Sequence, residues 1–225
     1  LESATNFKAM KRKSDWRGVT EFAAKNFDTQ HLLIFDSLSH YGSWEPTLYG
    51  FPRYYRGKSP ITSMSQIPLH APKMYSLSLT PILILFQWRD YHLTSQSQYP
   101  ILSNANVSID YEKICRDPEL NCTAFTGFSL IQLQKNSNNL ARDTYELIEK
   151  LLSHTPEGSW NVELHLAAAA LACTNQLDKC HHHLTQAENM VREKHRAKVK
   201  RIIEHIRRST VLSSLKQSTT IDSDI

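Results

Sequence analysis

Residues 160–188 read WNVELHLAAAALACTNQLDKCHHHLTQAE, in which four consecutive alanines precede a cysteine and a triple histidine. Small and apolar residues recur in this stretch at the three- and four-residue spacing of a helix face: Leu164, Ala167, Ala168, Leu171, Cys180, Leu184 and Ala187. Small side chains allow two antiparallel helices to approach closely. The stretch therefore predicts a helical hairpin, with Ala168 and Ala187 where the helices cross.

A second helix pair is predicted over residues 121–153, immediately before that hairpin. Phe125 and Phe128 take apolar positions of its first helix, and Ala141 and Tyr145 take those of its second. The polar residues 136–139 predict the turn between the two helices. Two successive helix pairs are typical of a repeat protein.

The whole chain is predicted to be all-α, an α-solenoid of tetratricopeptide-like antiparallel helix pairs with a long loop rich in proline and tyrosine. Helices are expected within residues 1–41, and the loop in residues 42–73, where prolines and glycines interrupt every period. The helical-repeat region covers residues 74–208, with the clearest pairs at 121–153 and 160–191 and a basic helix at 192–208. The Ser/Thr-rich residues 209–225 are expected to be disordered.

The predicted loop carries several large rings, more than an exposed linker normally holds: Trp44, Tyr49, Phe51, Tyr54 and Tyr55. Aromatic side chains are enriched at the anchors of protein interfaces. These residues are therefore candidates for partner binding. The alternative, that some of them cap the first helix pair, stays open.

The net charge of the chain, +4, is unevenly distributed, because residues 192–208 hold eight Lys or Arg and only two Glu. The candidate partner-binding cations are Lys194, Arg196, Lys198, Lys200 and Arg201. The preferred interpretation is a solvated or protein-docking helix face with Ile202, Ile203 and Ile206 turned inward. The alternative partners are nucleic acid and an anionic membrane surface. Aromatic residues are absent from this stretch, which counts against stacking of single-stranded RNA.

Cys180 and the histidines at 181–183 raise the question of a metal site. Consecutive helix residues point about 100° apart, so only Cys180 and His183, joined by His154 or His165, could face one ion. A solvated helix face is preferred, because no second ligand pair with metal-site spacing is present. Motifs for nucleophilic, phosphate-binding or zinc-hydrolase chemistry are also missing. We therefore expect no catalytic residue, no metal, no cofactor and no enzymatic activity, with an enzyme fragment as the alternative.

The compartment is inferred from apolar runs and cysteines. The apolar run at residues 81–86 is far shorter than the ~20 residues of a membrane span. The four cysteines are dispersed, so we expect them to be unpaired in a reducing compartment, which favours the cytoplasm. Residues 106–108 and 121–123 spell the N-glycosylation acceptor triplets Asn-Val-Ser and Asn-Cys-Thr. Such triplets have no meaning in a cytosolic chain.

Three stretches carry a resemblance to a known family: SDWRGVTEF at 14–22, YGFPRYYRGK at 49–58 and SMSQIP at 63–68, followed by the two predicted helix pairs. In this order they resemble tetratricopeptide-repeat proteins, and among them the twelfth subunit of the trafficking protein particle (TRAPP) complex. The resemblance implies a non-enzymatic scaffold or adaptor subunit of a multi-subunit tethering complex. It further implies contacts with other subunits, an indirect link to a Rab-type GTPase, and a cytoplasmic position, peripheral on endoplasmic reticulum or Golgi membranes.

Overall fold

The structure is a computed structural model that describes residues 16–36, 51, 54–86, 114–125, 128–155 and 161–221. Its elements, in chain order, are helix α1 (Trp16–Asn26), strands β1 (His31–Asp36) and β2 (Ile61–Ser63), helix α2 (Ile67–Met74), strands β3 (Thr80–Phe86), β4 (Leu120–Phe125) and β5 (Phe128–Leu133), and helices α3 (Leu140–Ser153), α4 (Val162–Ala172), α5 (Leu177–Met190) and α6 (Arg196–Ile221). Short 3₁₀ turns at Met64–Gln66 and Glu193–His195 precede α2 and α6. The described chain therefore combines strands and helices as far as β5 and is helical beyond it.

Five strands form one mixed sheet in the order β2-β1-β3-β5-β4. β1 is parallel to both its neighbours, with Leu33 opposite Ile61 of β2 and opposite Ile82 of β3. β5 runs antiparallel to β3, where Leu83 pairs with Ile131, and β4 is the antiparallel edge strand beyond β5. α2 lies in the crossover from β2 to β3, the kind of connection that parallel strands require.

β1 and β3 are apolar on both faces because both faces of the sheet are covered. Leu33 and Ile82 face the side of α1, where they pack with Val19, whereas Ile34 and Leu83 face the other helices. The larger core lies on that second side, and α2, α3, α4, α5 and α6 all contribute to it. Within the described residues, the fold is therefore an α/β arrangement with a sheet between α1 and a layer of helices.

The predicted all-α fold is wrong, because residues 31–36, 80–86, 120–125 and 128–133 supply most of the sheet. A short apolar run satisfies a helix period and a doubly buried strand equally well, so periodicity alone does not separate them. The runs in β1 and β3 are only six and seven residues long, short for a helix, and they contain β-branched isoleucines that suit a strand. The sheet contradicts the tetratricopeptide solenoid, the helical-repeat class and the resemblance to the TRAPP subunit.

One of the predicted helix pairs is present in the structure, although not as part of a repeat. α4 and α5 pack side by side and bury the residues named for this hairpin: Leu164, Ala167, Ala168, Leu171, Cys180, Leu184 and Ala187. The earlier pair is wrong in its first half. Ala141 and Tyr145 do lie buried on helix α3, but Phe125 and Phe128 face each other in the β4–β5 ladder.

Three local features lie near the predicted segment boundaries. Residues 136–139 do connect two elements, but these are strand β5 and helix α3 rather than the two predicted helices. Asn138 adopts a φ of 60°, and the Asn139 side chain caps α3 by accepting a hydrogen bond from the Arg142 N–H. β2 and α2 occupy residues that were assigned to the loop 42–73. α6 extends to Ile221, into the stretch that was expected to be disordered.

The four cysteines form two disulfides, Cys115–Cys122 and Cys173–Cys180, so the expectation of unpaired thiols is wrong. Each pair is seven residues apart, and a bend of the chain between the partners brings their Cα atoms to 5.3 and 4.9 Å. These separations lie in the range that a disulfide needs. The cysteine argument for a reducing compartment therefore no longer holds.

The apolar run at residues 81–86 lies in β3, the middle strand of the sheet. Across the described ranges, no helix combines the length and the apolar composition that crossing a bilayer requires. The run is instead used to fill the core on both sides of the sheet.

Candidate functional site

A buried group of polar side chains joins α3, α4 and α5. We call it the histidine cluster, and it consists of Tyr145, Glu149, His165 and His183. Nδ1 of His165 lies 3.0 Å from Nδ1 of His183. Nε2 of His183 lies 3.2 Å from Oε1 of Glu149 and 3.3 Å from the Tyr145 hydroxyl oxygen. His165 and His183 are only 7% and 3% exposed, so their polar atoms depend on these partners.

One arrangement of protons satisfies both ring nitrogens of His183: its Nε2–H donates to Glu149, and its Nδ1 accepts from the Nδ1–H of His165. Burial lowers the pKa of His165 to about 4, and the charges of His183 and His182 act in the same direction. The hydrogen bond from His183 holds the pKa of Glu149 below its usual value, and burial raises the pKa of Tyr145. Near neutral pH, His165 and Tyr145 are therefore neutral beside an ionised Glu149.

The histidine cluster connects to the surface through Glu149, whose side chain is 39% exposed. The ammonium of Lys179 lies nearby, 5.4 Å from the centre of the Tyr145 ring. Chemically, the cluster is a hydrogen-bond network that ties three helices together and holds a proton between two imidazoles.

The solvated-face interpretation of residues 181–183 is right for His181 and His182, which are exposed, but wrong for His183. Cys180 is in a disulfide and so has no thiolate to offer a metal. His154, another suggested ligand, contacts Asp117 instead. Over the part of the chain that the structure describes, no three His, Cys, Asp or Glu side chains are arranged to hold a metal ion.

A second polar group ties the end of α3 to the loop before β4. Nε2 of His154 lies 3.1 Å and Nζ of Lys150 lies 3.5 Å from Oδ2 of Asp117, and Lys150 also pairs with Glu119. The backbone N–H of Glu119 donates to Asp117 at 2.9 Å. This hydrogen bond, followed by those from His154 and Lys150, holds the pKa of Asp117 below its usual value. The group fastens a helix to the edge of the sheet.

α6 carries four of the five basic residues that were predicted to bind a partner, all except Lys194, and its packing decides which of them point outward. Val199, Ile203 and Ile206 are 1%, 1% and 2% exposed and pack into the core beside α2, α4 and α5. Their spacing of four and three residues marks the buried side of the helix, which leaves the other side in solvent. Lys198 is exposed at the edge of that stripe. The exposed cations that we call the basic face are Lys200, Arg201 and Arg208.

The other cations of this region, of which Lys194 and Arg196 were predicted to bind a partner and Arg207 was not, differ from the basic face. Nη1 of Arg196 lies 2.8 Å from Oε2 of Glu193, and Nη2 of Arg207 lies 3.9 Å from Oε1 of Glu188 in α5. The Lys194 side chain lies outside the described residues. Among the side chains that the structure describes, the basic face makes no ion pair.

The aromatic candidates divide between the core and the surface. Phe51 is fully buried and Tyr55 is 6% exposed, and their rings stack 5.2 Å apart on the α1 side of the sheet. Tyr54 is 54% exposed. Trp44 and Tyr49 lie outside the described residues. Phe51 and Tyr55 therefore pack on the sheet and are not accessible to a partner.

Sequence reasoning named His183 and His165 together only as possible ligands of one metal ion, and it missed their direct contact and the part of Tyr145 and Glu149 in the histidine cluster. Tyr145 and Glu149 are four residues apart on α3 and so share one helix face, a signal that the sequence does contain. His165 and His183 lie on different helices, and nothing in their separation of 18 residues predicts contact. Only the register of the α4–α5 hairpin brings the two rings together.

No family model, curated protein or solved structure matches the chain. The histidine cluster is buried between helices, whereas the basic face is exposed and accessible to a partner.

Proposed function

We propose that the protein is a non-enzymatic adaptor that binds an acidic segment of a partner protein through the basic face of α6. The supporting observation is the division of α6 into a buried apolar side and an exposed cationic side. Because the apolar side is anchored in the core, the cations are presented on a rigid element, and little conformational entropy is lost on binding. The finer expectation of a vesicle-tethering subunit rested on the resemblance that the sheet contradicts, so it forms no part of this proposal.

The burial of the apolar side favours a protein partner over a membrane. Amphipathic helices bind membranes by inserting their apolar face among the lipid headgroups. In α6 that face is occupied, since Val199, Ile203 and Ile206 pack in the core. A bilayer would be held by charge alone, at about 1 kcal/mol for each cation near an anionic surface. A peripheral position on Golgi or endoplasmic reticulum membranes is therefore the less favoured alternative.

The carboxylates around the basic face favour a protein partner over nucleic acid. Glu204 is exposed between Arg201 and Arg208 in the same helix, and Glu188 and Glu193 lie at its borders. Phosphate affinity comes from concentrated positive charge, and nearby carboxylates repel the phosphates. An acidic protein segment can place its carboxylates on the cations and an uncharged or basic residue near Glu204, which gives charge complementarity.

The test is a binding titration of the full chain with three fluorescent probes. The probes are a peptide in which Glu alternates with Ser and Leu, a short DNA duplex, and vesicles containing phosphatidylserine. We expect the peptide to bind most tightly, with an affinity that falls as salt is added, because ions screen exposed charge pairs. Tighter binding of the duplex or of the vesicles would contradict the proposal.

Charge reversal locates the surface that binds. The double variant Arg201→Glu, Arg208→Glu should weaken peptide binding by about tenfold or more, because attraction is replaced by repulsion at two positions. The matched control Lys25→Glu, Lys58→Glu changes the net charge equally at exposed positions outside α6. An equal loss in both variants would assign binding to net charge and overturn the proposal.

A further inference from the structure

The acceptor triplet Asn121-Cys122-Thr123 lies on β4 and has no part in the proposed adaptor function. A triplet of this kind arises often by chance, so it carries no argument by itself. Two structural features bear on it. One is its position on an edge strand, and the other is the chemical state of its middle residue.

The position of the triplet leaves its acceptor amide accessible. β4 is an edge strand, and because side chains alternate along a strand, Asn121 and Thr123 lie on one face of it. Asn121 is exposed, and its side chain makes no hydrogen bond to the described residues. Cys122 points to the opposite face, where it packs against the larger core. A group attached to Asn121 would therefore extend into solvent without disturbing that core.

The cysteines indicate the compartment in which such an attachment takes place. Cys122 is bonded to Cys115, and the second disulfide joins Cys173 to Cys180, which accounts for all four cysteines of the chain. Disulfides persist in the lumen of the endoplasmic reticulum and outside the cell, and are rare in the cytosol. Glycosylation of Asn-X-Ser/Thr is likewise a modification of secreted chains at surface positions. The disulfides and the triplet are separate features that indicate the same compartment.

We propose that Asn121 is N-glycosylated. The amide nitrogen of its side chain forms a bond to the anomeric carbon of an oligosaccharide that is carried on a lipid diphosphate. The bond from that carbon to the diphosphate oxygen breaks, the amide nitrogen gives up one proton to water, and the lipid diphosphate leaves as the second product. No atom is oxidised or reduced in this transfer.

A glycan at this position protects the edge of the sheet. The strand ladder of β4 is with β5, and in the described sheet no strand pairs with its outer side. Exposed edges of this kind associate with strands of other chains unless something blocks them. A bulky, hydrated oligosaccharide on Asn121 hinders the approach of a second strand and so keeps the edge solvated.

The proposal is tested on the protein isolated from the cells that make it. Treatment with peptide N-glycosidase in heavy-oxygen water converts a glycosylated Asn into a labelled Asp, which mass spectrometry of tryptic peptides locates. We expect the label at position 121, and no cysteine that reacts with an alkylating reagent before reduction. Unlabelled Asn121 throughout the sample, or four cysteines alkylated before reduction, would overturn the proposal.

Substitutions separate Asn121 from the other triplet at residues 106–108. Asn121→Gln and Thr123→Ala should each remove one glycan and increase electrophoretic mobility. Thr123→Ser keeps the hydroxyl of the triplet and should keep the glycan, which distinguishes a lost acceptor from a misfolded chain. Asn106→Gln should leave the label at position 121 in place. If Asn106→Gln removes all of the glycan, the assignment to Asn121 is wrong.

Discussion

The histidine cluster and the basic face both place titratable side chains on helices, but in opposite environments. His165 and His183 are buried, and Nδ1 of His165 and both ring nitrogens of His183 contact other side chains. Arg201 and Arg208 are exposed, and water solvates them. The two histidine side chains therefore contact only the interior of the protein, whereas the two arginine side chains are accessible to another molecule.

The histidine cluster and the basic face differ in whether water can replace a contact that is lost. When a buried hydrogen bond is broken, no water takes the place of the missing partner, so the protein loses roughly 1–3 kcal/mol for each group left unsatisfied. Exposed charges lose little because water already satisfies them, and even exposed ion pairs contribute only about 0–1 kcal/mol. Stability should therefore respond to changes in the histidine cluster, and partner binding to changes in the basic face.

The largest effect on stability is expected from His183→Leu. This substitution leaves the Nδ1–H of His165 without an acceptor and removes the hydrogen bond that Glu149 accepts from Nε2–H of His183. We expect a loss of about 2–4 kcal/mol, from roughly 1–3 kcal/mol for the buried His165 group and about 1 kcal/mol for the bond to the partly exposed Glu149. Urea denaturation followed by circular dichroism measures it. The control is His182→Leu at the exposed neighbouring position, which should change stability by less than about 0.5 kcal/mol. Equal losses would show that the cluster does not stabilise the fold.

The next largest loss of stability is expected from overpacking the apolar contact between α4 and α5, beside the histidine cluster. Ala168 is fully buried, whereas Ala170 is 8% exposed. Ala168→Leu should overpack the α4–α5 hairpin and cost about 1–3 kcal/mol, and Ala170→Leu should cost less. Thermal unfolding of the two variants provides the comparison. A larger loss for Ala170→Leu would mean that the tightest packing lies on the other side of α4.

Acidification should lower the free energy of unfolding by a smaller amount, through the histidine cluster and not through the basic face. Burial lowers the pKa of His165 from 6.5 to about 4 in the folded protein. Below pH 6.5 the unfolded chain binds a proton that the folded protein does not bind until about pH 4. The free energy of unfolding should therefore fall as the pH falls through this range.

The carboxylates Glu149 and Asp117 act differently, because their pKa values are lowered in the folded protein. Their contribution to stability is complete above their ordinary pKa values and is lost only at lower pH. Urea titrations at pH values between about 4.5 and 6.5 therefore isolate His165. His165→Gln should flatten the pH dependence in this window. An unchanged slope in that variant would assign the effect to other groups.

The smallest effect on stability is expected from the basic face. Arg201→Gln with Arg208→Gln should change the free energy of unfolding by less than about 0.5 kcal/mol, since both side chains are exposed and neither has an ion-pair partner among the described residues. The same double variant should bind the acidic peptide more weakly. A loss of stability comparable to that of His183→Leu would remove the distinction between the two regions.

The parts of the fold that could be predicted are those with a complete helical period. The α4–α5 hairpin, helix α3 and the inward positions Ile203 and Ile206 follow from apolar residues at three- and four-residue spacing. β1 and β3 were assigned to helices because a strand buried on both faces is apolar at every position. Such a strand lacks the alternation that distinguishes it from a helix.

Of the two candidate sites, the sequence predicted one and not the other. The basic stretch was visible in the sequence because charge excess is a property of neighbouring residues, although the structure was needed to show that Arg201 faces solvent and that Arg196 pairs with Glu193. The sequence suggested His165 only as one of two residues that could join His183 at a metal ion. Their direct hydrogen bond was not visible, because it depends on how two helices are aligned.

By itself, the sequence determined the local features of this protein: its helical periods, the turn and cap before α3, the basic composition of α6 and the acceptor triplet at Asn121. Each of these depends on residues within a few positions of one another. The tertiary structure alone decided that the apolar runs pair into a sheet, that His183 is buried while His182 is exposed, and that the cysteines are joined. These outcomes depend on contacts between elements that are separate in the chain, and the free energy of such contacts comes from burial and pairing that no local pattern records.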